Sequence, residues 1–373
     1  MSASPAPVEE QGERVRKLSG VDAVVLVGGQ GTRLRPLTLS APKPMLPTAG
    51  VPFLTHLLSR IRAAGITHVV LGTSYKASVF EEYFGDGSRL GLELEYVVED
   101  TPLGTGGGIR NAASRLRAEH IMVFNGDILS GVDLGAVAET HLSNDADVTL
   151  HLVKVPDPRA FGCVPTDADG RVLAFLEKTE NPPADQINAG CYVFKRSVLE
   201  DIPADRPVSV ERETFPGLLE RGARLQGHVD SSYWLDLGTP AAFVKGSADL
   251  VRGLAPSDAL PAPAGESIVL DGALVRADAK LVNGSTVGAG AQVGPGATVD
   301  GSVLFDGAVI GANAVVERSV IGAGARIGDN AVLRGAVIGD GAVVGARCEL
   351  LDGLRVWPNA ALADGSVRFS HDA

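Results

Sequence analysis

Hydrophobic and polar positions along this chain follow two different rhythms. From Val21 onward, short apolar runs such as Asp22–Val27 alternate with amphipathic stretches such as Phe53–Ala64. This alternation predicts strands and helices in turn, and hence a parallel α/β sheet that binds its ligand at the carboxyl ends of its strands. Further predicted strands are His68–Gly72, Leu92–Val98 and Ile121–Phe124, and further predicted helices are Lys76–Phe84 and Gly106–Leu116.

The rest of the chain divides by composition. β-rich but less regular segments follow residue 146, and we expect them to cover one end of the sheet. Residues 1–20 are polar and charged, which predicts a flexible tail, and residues 251–265 are rich in proline and alanine, as in a linker. We therefore expect a tail (1–20), an α/β domain (21–250), a linker (251–265) and a second domain (266–373).

The second domain contains an internal repeat. Aliphatic residues recur in steps of six, six and five, so that Val287, Leu304, Ile321 and Ile338 head successive units of 17 residues. Most six-residue units read aliphatic-Gly-x-x-Ala-x, which suits a short strand followed by a tight corner, with alanine filling a narrow interior. Three such units close one triangular turn. The pattern predicts a parallel β-helix of about four coils that continues less clearly backward through Leu270. A flexible Gly/Ala linker would not keep its aliphatic residues in register.

Composition excludes several classes of function. The 33 basic and 45 acidic residues give a net charge of −12, which argues against a polymeric nucleic-acid partner. No apolar run approaches the roughly 20 residues of a membrane helix, and the N-terminus lacks the apolar core of a secretion signal. The three cysteines are unclustered, which favours a reducing cytoplasm and offers no metal–thiolate site.

Acidic residues are absent from the 58 positions between Asp22 and Glu81, although arginine and lysine occur there. At the start of this electropositive region, a glycine-rich loop (Val27–Pro36) follows the first predicted strand. Its backbone N–H groups, with Arg33 and Lys43, are suited to holding phosphates.

Two common phosphate-binding motifs do not fit this loop. A P-loop requires Gly-Lys-Ser/Thr, whereas Thr32 and Arg33 follow Gly31. A dinucleotide fingerprint requires a third glycine where this chain has Leu34. Neither kinase-like nor NAD-dependent chemistry is favoured.

The loop Gly28–Leu34, followed by Pro42–Pro44, resembles the signature of the sugar-1-phosphate nucleotidyltransferases, in which it cradles the triphosphate of an NTP. The resemblance extends from about Val21 through the repeat. It implies a Rossmann-like nucleotidyltransferase domain with a mixed, mainly parallel sheet, followed by a left-handed β-helix. The loop Pro102–Gly107 and the segment Ser209–Glu213 are most similar to the mannose-1-phosphate guanylyltransferase branch.

The resemblance also implies roles for individual residues. The implied nucleotide-binding residues are Gly28, Gly29, Gly31, Thr32, Arg33, Lys43, Glu99, Pro102, Gly104 and Thr105. The implied sugar-phosphate residues are Gly162, Glu177, Lys178 and Asn188, and the implied Mg²⁺ ligands are Asp127 and Asp236. Arg33, Lys43, Asp127 and Asp236 are the expected catalytic residues.

The chemistry of the implied reaction is consistent with these roles. The sugar phosphate is ionised at neutral pH and attacks the α-phosphorus of the NTP in line, so the protein must position and neutralise two polyanions. Mg²⁺ on the two aspartates would neutralise the α-phosphate, while Arg33 and Lys43 would stabilise the departing pyrophosphate. The implied substrates are GTP and α-D-mannose 1-phosphate, and the products are GDP-mannose and pyrophosphate.

Alternatives remain open at this point. The same chemistry could join glucose 1-phosphate to dTTP or UTP, and a non-catalytic homologue could bind nucleotide sugars as a regulator. Acyl transfer by the β-helix is disfavoured because no histidine lies between His228 and His371. We expect a homo-oligomer in which the β-helix takes part.

Overall fold

The computed structural model describes residues 18–177, 179–204, 206–262 and 264–368, and the chain forms two compact units. The sheet unit comprises residues 18–29 together with residues 57–234. The β-helix unit comprises residues 30–56 together with residues 235–368. Of the predicted tail, residues 1–17 lie outside the described residues. Leu18 is buried, and its carbonyl accepts a hydrogen bond from the Val21 amide at 3.1 Å.

Strands and helices alternate up to residue 143 as the hydrophobic pattern predicts, and the less regular part that follows has four strands in succession before the next α-helix. The strands are β1 (Val21–Leu26), β2 (Pro47–Thr48), β3 (Val51–Pro52), β4 (His68–Thr73), β5 (Glu93–Val98), β6 (His120–Asn125), β7 (Ile128–Ser130), β8 (Val148–Lys154), β9 (Gly162–Cys163), β10 (Leu176–Glu177), β11 (Gln186–Lys195), β12 (Leu225–Asp230) and β13 (Trp234–Asp236). The helices are α1 (Phe53–Ala63), α2 (Ser78–Phe84), α3 (Gly104–Ala112), α4 (Leu134–Ser143), α5 (Arg196–Glu200), α6 (Phe215–Glu220) and α7 (Pro240–Arg252).

The sheet unit is built on one mixed, mainly parallel sheet, as predicted. Its order is β12-β8-β11-β6-β1-β4-β5, and β9 and β10 extend it beside β11. β6, β1, β4 and β5 are parallel, while β11 runs antiparallel to β6. Central strands are covered on both faces, so β1 is an almost continuous apolar run rather than an alternating one.

The first predicted helix begins at Phe53 as expected, whereas the next two helix starts differ from the predicted ones by two residues. The predicted helix 76–84 begins at Ser78, and the predicted helix 106–116 begins at Gly104 and passes into a 3-10 turn at Ala113–Arg115. These shifts are of the size expected, because a helix boundary depends on local capping contacts that periodicity does not report.

The repeat folds as a parallel β-helix with three sheets. The first sheet contains β14 (Ser267–Val269), β17 (Ser285–Val287), β20 (Val303–Leu304), β23 (Val320–Ile321), β26 (Val337–Ile338) and β29 (Arg355–Val356). The second contains β15 (Leu274–Val275), β18 (Gln292–Val293), β21 (Val309–Ile310), β24 (Arg326–Ile327), β27 (Val343–Val344) and β30 (Ala361–Leu362). The third contains β16 (Lys280–Val282), β19 (Thr298–Asp300), β22 (Val315–Glu317), β25 (Val332–Arg334) and β28 (Glu349–Leu350).

The observed register confirms the period of 17. Val287, Leu304, Ile321 and Ile338 pair in succession along the first sheet, and the last step, to Val356, is one residue longer. All of the repeated aliphatic residues from 287 to 350 are buried, with exposures of 2% or less. Strands β14–β16 precede Val287, as the weaker backward continuation predicts. Strands β29 and β30 follow Leu350, so the helix also extends beyond the predicted coils at its other end.

Glycine has two separate roles in these coils. Gly322, directly after Ile321, has no room for a side chain, since a Cβ there would lie 2.6 Å from the Asp340 amide nitrogen of the next coil. The corner residue itself is Gly324, whose φ of +63° is in the left-handed region that favours glycine. The regular spacing of the repeat therefore reflects close packing between coils as well as corner geometry.

One face of the β-helix is covered within its own unit. The outward-pointing Val303, Val320 and Val337 of the first sheet are buried, and they form one apolar cluster with Leu34 and with Phe243 of α7. The predicted linker is also packed: Ala255 is 2% exposed, and Ala264 donates its amide to the Val251 carbonyl at 2.9 Å. Among the described residues, no helix has the length and apolar character needed to cross a bilayer.

Candidate active site

The glycine-rich loop begins directly after β1. Ser74 Oγ donates to the Gly28 carbonyl at 2.6 Å, which fixes the first residue of the loop, and Gly29 is exposed. Gly31, with a φ of +58°, leads into a 3-10 turn at Thr32–Leu34. The loop therefore presents backbone to solvent at the carboxyl edge of the sheet, as a phosphate site requires.

Three of the predicted catalytic residues meet in the β-helix unit. Lys43 Nζ lies 3.4 Å from Asp236 Oδ1, and the Arg33 guanidinium lies 3.7 Å from Asp236 Oδ2. Folding thus brings together residues that are 193 positions apart in the chain. The Lys43 side chain is 8% exposed, and a buried ammonium requires a nearby negative charge or hydrogen-bond acceptors. Arg33 is 66% exposed, so its guanidinium is available to an incoming anion.

The backbone around Asp236 explains its position. Asp236 ends β13, and α7 starts four residues later with Thr239 as N-cap and Pro240 in the first turn. Thr239 Oγ1 accepts the Ala242 amide at 3.2 Å, so the cap does not engage the Asp236 carboxylate. Gly238 lies between them, and a Cβ there would collide first with the Arg33 guanidinium, 2.8 Å from its central carbon, and would lie 3.0 Å from Asp236 Oδ1.

Asp127 lies in the sheet unit, at the same edge of the sheet as Gly28. It follows β6, which is parallel to β1, and Leu26 pairs with Asn125 at the ends of the two strands. The Gly126 amide donates to the Leu26 carbonyl at 2.9 Å, and a Cβ at Gly126 would lie 2.7 Å from that oxygen. This close approach turns the chain so that Asp127 stands beside the start of the glycine-rich loop.

The predicted base-binding loop is held at both ends. Glu99 Oε2 accepts the Leu103 amide at 3.0 Å, while burial raises the pKa of this carboxyl and the Leu103 bond partly offsets that rise. At the other end, the Val208 carbonyl accepts the Gly106 amide at 2.8 Å. Gly104 has a φ of +71° and no room for a Cβ, which would lie 2.6 Å from the same carbonyl oxygen. Glu99 therefore shapes this loop, which also contains Pro102 and Thr105.

Strands β9, β10 and β11 carry three of the predicted sugar-phosphate residues, Gly162, Glu177 and Asn188. Gly162 in β9 pairs with Glu177 in β10, and Cys163 of β9 pairs with Ile187 of β11, next to Asn188. Asn188 Nδ2 donates to the Tyr192 hydroxyl at 2.7 Å, and its Oδ1 accepts the Gly190 amide at 3.1 Å.

These two bonds span an irregularity in the pairing of β11. Together they leave the Asn188 side chain one N–H that can donate and one lone pair of Oδ1 that can accept. Lys178 lies outside the described residues.

Glu211, a carboxylate that received no role from the sequence, also lies in this region. Glu211 Oε2 accepts the Thr105 hydroxyl at 2.8 Å and the Ser209 hydroxyl at 2.7 Å. In the sequence, the signal that pointed to Glu211 was the similarity of the segment Ser209–Glu213 to one branch of the family. Its contact with Thr105, 106 positions away, is visible only in the fold.

A separate group of possible metal ligands lies at the opposite edge of the sheet. His68 begins β4 and Glu93 begins β5, so both stand at the amino ends of strands whose carboxyl ends face the glycine-rich loop. Arg117 also binds Glu93 and Glu95, with N–O distances of 2.6 and 3.0 Å. This group therefore lies at the edge of the sheet opposite the glycine-rich loop. Its carboxylates would also repel a phosphate, so we do not assign it to the expected reaction.

Comparison with known proteins identifies the family. The model described as nucleotidyl transferase matches residues 22–253, and the one described as GMPPB C-terminal domain matches residues 264–368. Mannose-1-phosphate guanylyltransferase from Mycobacterium tuberculosis is 67% identical over 353 residues, which cover 94% of this chain and 98% of the relative. This chain belongs to the mannose-1-phosphate guanylyltransferase family.

Other similarities agree with this family. The catalytic subunit beta of mannose-1-phosphate guanylyltransferase from Drosophila pseudoobscura pseudoobscura is 38% identical over 231 residues, or 61% of this chain and 62% of the relative. The crystal structure of HddC from Yersinia pseudotuberculosis, complexed with GMP-PN, is 30% identical with a TM-score of 0.53, covering 61% of this chain and 97% of that one. The mannose-1-phosphate guanylyltransferase fold here is a Rossmann-like domain followed by a left-handed β-helix.

Proposed function

We propose that this protein transfers GMP from GTP to α-D-mannose 1-phosphate, forming GDP-mannose and pyrophosphate. The observation that carries the proposal is the 67% identity, over 94% of the chain, to a mannose-1-phosphate guanylyltransferase. The convergence of Lys43 and Arg33 on Asp236 supports it, because this reaction needs cations beside its phosphates and no covalent enzyme nucleophile.

Each predicted residue keeps its proposed task. The loop from Gly28 to Thr32 holds the triphosphate through its backbone, and Arg33 and Lys43 neutralise the leaving pyrophosphate. Glu99 and the loop from Pro102 to Thr105 enclose the base. Gly162, Glu177, Lys178 and Asn188 hold the sugar phosphate, so that its oxygen stands in line with the α-phosphorus.

Asp127 and Asp236 are the proposed ligands of Mg²⁺. The donor set fits this ion, since carboxylate oxygens are the ligands that Mg²⁺ prefers. When bound, the metal supplies positive charge at the α-phosphate. Asp236 contacts two cationic side chains in this structure, and these contacts hold its carboxylate in position.

A cytoplasmic location and a homo-oligomer remain predictions. The three cysteines, Cys163, Cys191 and Cys348, are buried free thiols, which is compatible with a reducing compartment. Leu274, Val343 and Trp357 are exposed apolar residues of the β-helix unit and offer surface for self-association.

The test is pyrophosphate release from the full-length protein with each of the four common NTPs, combined with mannose 1-phosphate and with glucose 1-phosphate. We expect GTP with mannose 1-phosphate to give the highest kcat/KM, and chelation of divalent metal to stop the reaction. A preference for dTTP or UTP with glucose 1-phosphate would overturn the substrate assignment, and binding of GDP-mannose without any turnover would favour a regulatory homologue.

A further inference from the structure

A rigid turn carries Glu211. Val210–Thr214 forms a single π-helical turn, a rare form that often occurs at functional sites. Ser209 caps this turn: its hydroxyl accepts the Arg212 amide at 3.2 Å, and its carbonyl accepts the Glu213 amide at 3.0 Å. Val210 is fully buried in the core, which anchors the turn from below. Glu211 is therefore held in place by its backbone.

The two carboxylate oxygens of Glu211 have different surroundings. Oε2 accepts both the Thr105 and the Ser209 hydroxyls, and Thr105 Oγ1 in turn accepts the Val210 amide at 3.0 Å. Within the part of the chain that the structure describes, Oε1 has no hydrogen-bond partner. A partly exposed carboxylate with one oxygen fully used and the other unused is ready to accept a hydrogen bond from a ligand.

The surroundings of Glu211 favour the sugar as that ligand. Tyr192 is fully buried, and its pKa is raised first by burial and then by the charge of Glu211, so the carboxylate stands near the tyrosine. The hydroxyl of Tyr192 is hydrogen-bonded by Asn188, one of the proposed sugar-phosphate residues. A carboxylate repels phosphate oxygens, whereas each hexose hydroxyl offers a donor.

We propose that Glu211 determines sugar specificity by accepting, through Oε1, a hydroxyl of the hexose ring. This inference rests on the proposed function, since it assigns a contact within the same site. Through Oε2 the same carboxylate holds Thr105 of the proposed base-binding loop. One side chain would therefore contact both that loop and the sugar.

The test substitutes Glu211→Gln. The amide oxygen of glutamine can still accept the Thr105 and Ser209 hydroxyls, which leaves an NH₂ donor where Oε1 was. We expect the KM for mannose 1-phosphate to rise about tenfold, the usual effect of losing one hydrogen bond to a charged group, with the KM for GTP and the Tm unchanged.

Monodeoxy mannose 1-phosphates, each lacking one hydroxyl, identify the partner. One analogue should cost the native enzyme about tenfold in kcat/KM and cost the E211Q variant nothing more. Glu213→Gln is the matched control: this neighbouring carboxylate binds Arg206 at 2.9 Å, and its loss should leave both KM values unchanged.

The outcomes separate this inference from the proposed function. If native protein turns over GTP and mannose 1-phosphate but E211Q raises the KM for GTP alone, Glu211 contacts the base and the inference is wrong. It is equally wrong if every deoxy analogue affects E211Q as it affects the native enzyme. If native protein shows no turnover with this pair, the proposed function itself fails.

Discussion

The sheet unit and the β-helix unit both depend on close backbone contacts at glycine, but they differ in how often each contact occurs. Gly126 brings the end of β6 against Leu26 once, and that contact orients a single candidate metal ligand. Gly322 brings one coil against the next, and equivalent glycines, such as Gly311, do the same in neighbouring coils. The repeat thus distributes one structural requirement over many residues, whereas the site concentrates several chemical requirements on residues that occur once.

The largest expected effect concerns a site residue, which occurs once in the chain. Asp127→Ala should lower kcat by about 10³-fold or more, because the proposed metal loses a ligand at the charge-bearing phosphate. The Tm should stay near the native value, and Mn²⁺ binding followed by electron paramagnetic resonance should weaken in parallel.

Asp157→Ala is the control for that experiment, because Asp157 is an exposed carboxylate of the same unit, paired with Arg159. It should leave activity and metal binding unchanged. Near-normal turnover of Asp127→Ala would exclude Asp127 as a metal ligand.

The next effect concerns stability within one coil. Val344 points into the β-helix and is 1% exposed, whereas the adjacent Val343 points outward and is 40% exposed. Val344→Ala should lower the free energy of unfolding by about 2 kcal/mol through lost burial and an added cavity, and Val343→Ala should change it by less than about 0.5 kcal/mol.

Thermal or urea unfolding of both variants measures this difference, and kcat per folded molecule should match the native value in each. Equal losses from the two substitutions would show that the interior of the coil is not the stabilising core.

The third effect is a pH dependence of stability that arises at His141 in the sheet unit. Burial, reinforced by the neighbouring His120, lowers the pKa of His141 to about 4, against about 6.5 in an unfolded chain. Asp145, Asp147 and Lys195 also act on it, and Thr149 hydrogen-bonds its ring. Between these two pKa values the unfolded state binds one more proton, so stability is complete above pH 6.5 and declines as the pH falls toward 4.

The expected decline is about 2 kcal/mol from pH 6.5 to 5. The chain has two tryptophans, so a Trp357→Phe background leaves Trp234 to report on the sheet unit during urea unfolding. His141→Gln in that background should flatten the profile. An unchanged profile would show that His141 does not carry the effect.

Prediction from sequence succeeded where a pattern repeats or where a signature is contiguous. The 17-residue period located the buried residues of every coil from Val287 to Leu350, and the contiguous glycine-rich signature after β1 indicated the family to which the chain belongs. Helix starts near Ser78 and Gly104 were displaced, because capping is local. The coils before Val287 were only weakly indicated and the strands after Leu350 were missed, because the outermost strands have weaker periodicity.

The sequence by itself determined the two architectures, the family and the residue types of the site, since periodicity and contiguous motifs are properties of the chain. Only the tertiary structure decided that Lys43 and Arg33 face Asp236, that Glu99 holds its own loop, and that Glu211 uses one carboxylate oxygen to hold Thr105 and Ser209. These contacts join residues that are distant in the chain or depend on which atoms a neighbour already uses. Linear spacing contains neither kind of information, because it records the order of side chains and not the directions in which they point.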